Sequence, residues 1–109
     1  MYFHKLPNAA ASNITVTSTA TNLYDLIETA AGTTLNLRKN LNGILLLPED
    51  GDVRFLLDGN SPTATEGILV KSGQPRLLEG VPLNQMELIR TGASNVKVSI
   101  QVGESEIDD

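Results

Sequence analysis

Cysteine and tryptophan are both missing from the 109 residues, and histidine occurs once, as His4. Without cysteine there is no disulfide, no thiol nucleophile and no thiolate ligand for zinc, and the redox compartment is left open. A Ser-His-Asp arrangement would have to run through His4, which stands outside the strand-rich part of the chain and reads as a surface histidine. A cupin-like metal centre needs several histidines on core strands, which this composition does not supply. The aromatics are Tyr2, Phe3, Tyr24 and Phe55. So few leave no stacking platform for a single-stranded nucleic acid and little to line a sugar cleft. Basic residues are scattered (Lys5, Arg38, Lys39, Arg54, Lys71, Arg76, Arg90, Lys97) on a chain of net charge −5. No basic patch forms to neutralise phosphates, so nucleic acid is not an expected partner.

Long apolar runs are missing too. Nothing approaches the roughly 18 apolar residues of a membrane helix, and "MYFHKLPN" has no apolar stretch of the kind a signal peptide requires. The expectation is a soluble chain made without a cleaved signal, with no membrane partner. The sequon Asn13-Ile14-Thr15 then has no secretory route to make it meaningful. Phosphate-loop glycine patterns and a serine nucleophile elbow are likewise absent. No catalytic set emerges, and no cofactor or metal is assigned. Glu49, Asp50 and Asp52 form the one local acidic cluster. Oxygen ligands in a glycine-containing turn could hold calcium. The spacing is not that of an EF-hand, and a solvated turn is the simpler reading.

What is present is an alternation of short apolar runs and turn residues. The length suits one domain. Area scaling for 11.7 kDa gives roughly 6,000 Å² of folded surface against about 17,000 Å² unfolded, enough burial for one core. Residues 1–13 read as an extended arm, 14–103 as the folded domain and 104–109 as an acidic tail. "ITVTST" at 14–19 is a first strand with Ile14 and Val16 on one side. Leu23, Leu26, Ile27 and Ala30 then follow helical spacing, with Asn22 as N-cap, Asp25 in the first turn and Gly32 placed to end the helix. This predicts a short helix over 23–31.

From residue 35 onward every segment has strand character: "LNLR", "GILLLP" at 43–48, "DVRFLLD" at 52–58, "GILVK" at 67–71, "RLLEG" at 76–80, "MELIR" at 86–90 and "VKVSIQV" at 96–102. In the last, Val96, Val98, Ile100 and Val102 point one way and Lys97, Ser99 and Gln101 the other. "GILLLP" is apolar on both faces, as in an interior strand. Seven or eight short strands about 8–12 residues apart, with Gly or Pro at most joints, predict an all-β fold: an antiparallel β-sandwich or jelly roll with one short helix. The polar segment "DGNSPTATEG" at 58–67 is too long for a tight hairpin and reads as a crossover between sheets or a loop that meets a protein surface.

Two stretches, "GDVRFLLDGNSPTATEGILVKSGQPRLLEG" and "LIRTGASNVKVSIQVGES", resemble a family of small structural proteins of tailed bacteriophages. A D-G-x-x-P-T crossover and an R-T-G-x-x-N turn entering the final strand carry the likeness, which spans somewhat over half the chain, from about residue 43 to 103. The resemblance implies a β-sandwich or jelly-roll virion component made in the host cytoplasm, such as a capsid decoration (cement) protein. Such proteins work without catalysis, as homo-oligomers bound to the major capsid protein or other virion proteins. Arms and loops make the contacts, which makes Tyr2, Phe3, Leu6, Leu56, Asn60, Pro62, Thr63 and Thr65 the candidate contact residues. The alternatives are a tail-associated or connector protein, or a β-sandwich that recognises a glycan, with calcium at 49–52.

Overall fold

The computed structural model describes residues 2–3, 12–34 and 41–104. In chain order the elements are β1 (Tyr2–Phe3), β2 (Asn13–Val16), β3 (Thr21–Asn22), α1 (Leu23–Ala31), β4 (Gly43–Pro48), β5 (Val53–Leu56), β6 (Ile68–Val70), β7 (Arg76–Glu79), a 3-10 turn (Leu83–Gln85), β8 (Glu87–Arg90) and β9 (Val96–Glu104). The strands form two antiparallel sheets, one in the order β1-β9-β4-β7 with β2 also on β9, the other in the order β3-β8-β5-β6.

β9 is the spine of the first sheet. It pairs with β4 from Pro48↔Val98 to Gly43↔Gly103. β2 (Asn13↔Ser99 to Val16↔Val96) and β1 (Phe3↔Gly103, Tyr2↔Glu104) therefore share its other edge, end to end. Strict alternation along β9 sends Val96, Val98, Ile100 and Val102 into the core, as expected. They meet Ile14, Val16, Ile44 and Leu46 from their own sheet and Val53, Phe55, Val70 and Leu88 from the other, all in one buried cluster. Two sheets closed over a single apolar core is the layering of a β-sandwich. No polar or charged residue is buried among those described, so the core contains no internal polar site. The accessible surface, 6030 Å², is what the chain length leads one to expect.

The helix occupies the predicted span. Asn22 is extended, and its side chain accepts a hydrogen bond from the Tyr24 amide, while Gly32 takes the left-handed conformation (φ 75°) and donates to Glu28 and Thr29 carbonyls. Leu23, Leu26 and Ile27 are buried, and the last core position is Ala31, with Ala30 only partly covered. The Leu23 amide donates to the Met86 carbonyl (2.8 Å), tying the start of the helix to the approach to β8.

Several sequence expectations change. β2 ends at Val16, three residues short of the expected end, because the chain leaves for the second sheet there. The hydroxyls of Thr17 and Thr21 bond to the Thr19 backbone through that turn. β2 begins one residue before the expected strand, at Asn13, and β9 runs on to Glu104. "LNLR", the acidic tail from 105, and residues 4–11 of the expected arm lie outside the described residues. From β2 onward every connection but one passes between sheets, and the exception is the segment expected to cross. β5 and β6 are neighbours in one sheet (Val53↔Val70, Arg54↔Leu69, Phe55↔Ile68), so 57–67 is a long hairpin connection.

Candidate functional site: the β5–β6 loop

The loop is long because it folds back over its own sheet. Arg54 points to the outer face of β5, opposite the buried Val53 and Phe55. Its guanidinium donates from Nη1 to the Gly67 carbonyl (2.8 Å) and from Nε to the Ala64 carbonyl (3.2 Å). One strand further in, Glu87 of β8 accepts from the Ser61 hydroxyl (2.8 Å). The two outward side chains thus hold the middle of the loop and its return to β6, and Leu56, register partner of Glu87, is half-buried.

Inside the loop, small polar residues supply the bonds that a short turn would obtain from its ladder. Asp58 accepts from the Asn60 amide and from Asn60 Nδ2, both at 3.0 Å. These two bonds hold the Asp58 carboxyl below its ordinary value. Thr63 and Glu66 exchange backbone bonds, and Thr63 Oγ1 accepts from the amides of Thr65 (3.3 Å) and Glu66 (2.9 Å). Gly67 lies at φ 126°, and a Cβ there would come within 3.1 Å of Pro62 and 3.2 Å of the Phe55 carbonyl. Only glycine lets the chain re-enter the sheet so close to the strand it left.

The loop therefore presents a fixed, largely uncharged surface. Asn60, Thr63 and Thr65 are exposed, as a contact role requires. Pro62 is buried beneath the loop, against Gly67, and is corrected from a contact residue to a packing one. Tyr2 and Phe3 pair with β9 in the other sheet, so arm and loop do not form one patch through these residues. Leu6 and His4 lie outside the described residues. The sequence reading missed Arg54 and Glu87. Arg54 left a signal, a charged residue at an outward strand position just ahead of a loop rich in backbone groups without ladder partners, whereas Glu87, on β8, left none in the sequence near the loop.

The acidic turn has a different job. Glu49 Oε2 accepts from Ser99 Oγ (2.6 Å), Asp50 Oδ1 from the Lys97 amide (2.8 Å) and Asp52 Oδ1 from the Ser72 amide (2.8 Å). Glu49 and Asp50 thus tie the turn to β9, and Asp52 ties it to the β6–β7 connection. Among the described residues no group of three or more His, Asp or Glu side chains is gathered for a metal ion. Compared with known proteins, the chain matches no family model, no curated protein and no solved structure.

Proposed function

We propose that the chain is a non-enzymatic structural protein of a virion, a jelly-roll capsid decoration protein that binds through preformed surface loops. The observation that carries the reading is the β5–β6 loop. A segment of ten polar and small residues is held rigid from within and clamped by Arg54 and Glu87, leaving Asn60, Thr63 and Thr65 outward. Such a surface loses little entropy on docking to another protein. The jelly-roll assignment draws support from strand order. Eight strands numbered from β2 lie as β2-β9-β4-β7 facing β3-β8-β5-β6, which is two interleaved Greek keys. Jelly rolls are common among capsid proteins, although fold alone does not give function. The resemblance of 51–80 and 88–105 to phage structural proteins points the same way.

The test is co-sedimentation of the purified protein with virus particles from its source. Wild type is expected to pellet with the particles at saturating, repeated stoichiometry. Ala64→Lys/Thr65→Lys, which places two long charges at exposed positions whose side chains hold no backbone amide of the loop, should abolish pelleting without changing Tm. Pelleting unaffected by this double substitution contradicts a role for the loop.

A further inference from the structure

The hydrogen bonds of the β5–β6 loop are of two kinds, and they divide along its length. Among the described residues, each bond in the first half ends on a carboxylate. Asp58 accepts from the Asn60 amide and from Asn60 Nδ2, and Glu87 accepts from the Ser61 hydroxyl. In the second half no carboxylate takes part. Thr63 Oγ1 accepts from the amides of Thr65 and Glu66, Thr63 and Glu66 exchange backbone bonds, and the Arg54 guanidinium donates to the Ala64 and Gly67 carbonyls. Pro62, which is buried, separates the halves. A threonine hydroxyl and an arginine keep their protonation state throughout the acid range, whereas a carboxylate does not.

We infer that the loop contains an acid-sensitive latch: protonation loosens residues 58–61 and leaves 63–67 in place. A proton on Asp58 occupies one of the two oxygens that Asn60 uses, and it turns the remaining bond from charge-assisted to neutral, roughly half as strong. A proton on Glu87 weakens its bond to Ser61 in the same way. The charged groups nearby do not replace these bonds. Arg54, the one cation of β5, is committed to the carbonyls of the other half. β6 and the 3-10 turn carry no charge, and Glu66 within the loop is another anion. On β8, Arg90 stands at the far end from Glu87 and donates to Asn95. Because the bonds to Asn60 hold the Asp58 carboxyl below its ordinary value, their contribution is fully present above the pKa of the unfolded chain. It is lost as pH falls through the lower, folded value. Of the outward residues, Asn60 belongs to the half that loosens, and Thr63 and Thr65 to the half that stays.

The bearing of the latch on docking rests on the contact role proposed above, but the latch itself is a property of the isolated chain. Backbone 15N relaxation of the purified protein tests it without any particle, at about pH 6.5 and about pH 3, either side of the carboxylate range. At the higher pH the order parameters of 59–67 should be uniform, about 0.85. At the lower pH those of Gly59, Asn60 and Ser61 should fall below about 0.6 while those of 63–66 hold. Asp58→Asn/Glu87→Gln reads the same latch without acid, since its neutral amides stand in for the protonated acids. This variant should show the partial loosening already at the higher pH, with β9 unchanged. Order retained at 59–61 in the variant, a wild-type loop that stays uniform at the lower pH, or order lost equally through 63–66 overturns the inference.

Discussion

Arg54 shows how much of this molecule rests on single outward side chains. Its two bonds go to loop carbonyls that no strand pairs, and those carbonyls lie near enough to solvent that water can replace the guanidinium in part. Arg54→Ala is therefore expected to destabilise the fold by only about 1 kcal/mol, the usual net value of such bonds. Its main effect is local: amides of 58–67 should exchange faster with deuterium while those of β9 stay protected. Equal protection of the loop in both proteins would show that Arg54 is not its clamp. The polar character of the loop made Asn60, Thr63 and Thr65 legible as surface residues. The burial of Pro62 was not, because it follows from the loop folding back, and that depends on Arg54 and Glu87 from outside the segment.

Elements whose signals are local could be read to the residue. The helix is one, since its apolar spacing, its N-cap and its terminating glycine all lie within eleven residues, Asn22 to Gly32. The side chain of Asn22 both accepts from Tyr24 and donates to the Asn84 carbonyl at 2.9 Å. Asn22→Ala should cost about 1–2 kcal/mol, visible as a lower midpoint in urea with unchanged slope. A midpoint within error of wild type would mean that the cap is dispensable. β9 was equally legible from its alternation. β1 and β3, with two residues each, have no sequence pattern of their own and exist only through Phe3↔Gly103 and Thr21↔Leu88. The sheet to which β6 belongs was misread for a related reason. The length of a polar loop does not say whether the next strand returns beside the last one.

At the scale of the whole molecule, one core serves both sheets, and Phe55 is the largest side chain fully buried within it. Phe55→Ala should lose about 3–5 kcal/mol. Because strands of both sheets pack into that core, the transition should remain single, with amide protection falling in β9 as well as in β5. Loss confined to β5 and its neighbours would mean that the sheets unfold separately. Architecture was thus readable from the sequence as two antiparallel layers with one helix. Function was not, since a binding surface of asparagine and threonine has no spacing rule of the kind that marks a metal centre or a nucleophile. The measurement that bears most directly on the proposed role is the copy number of this chain in washed particles from its source, counted against the shell protein by quantitative mass spectrometry. A ratio near one per shell subunit, or a simple fraction of it, is what decoration predicts. A few copies per particle would place the chain in a tail or connector, and its absence from particles would contradict the virion role altogether.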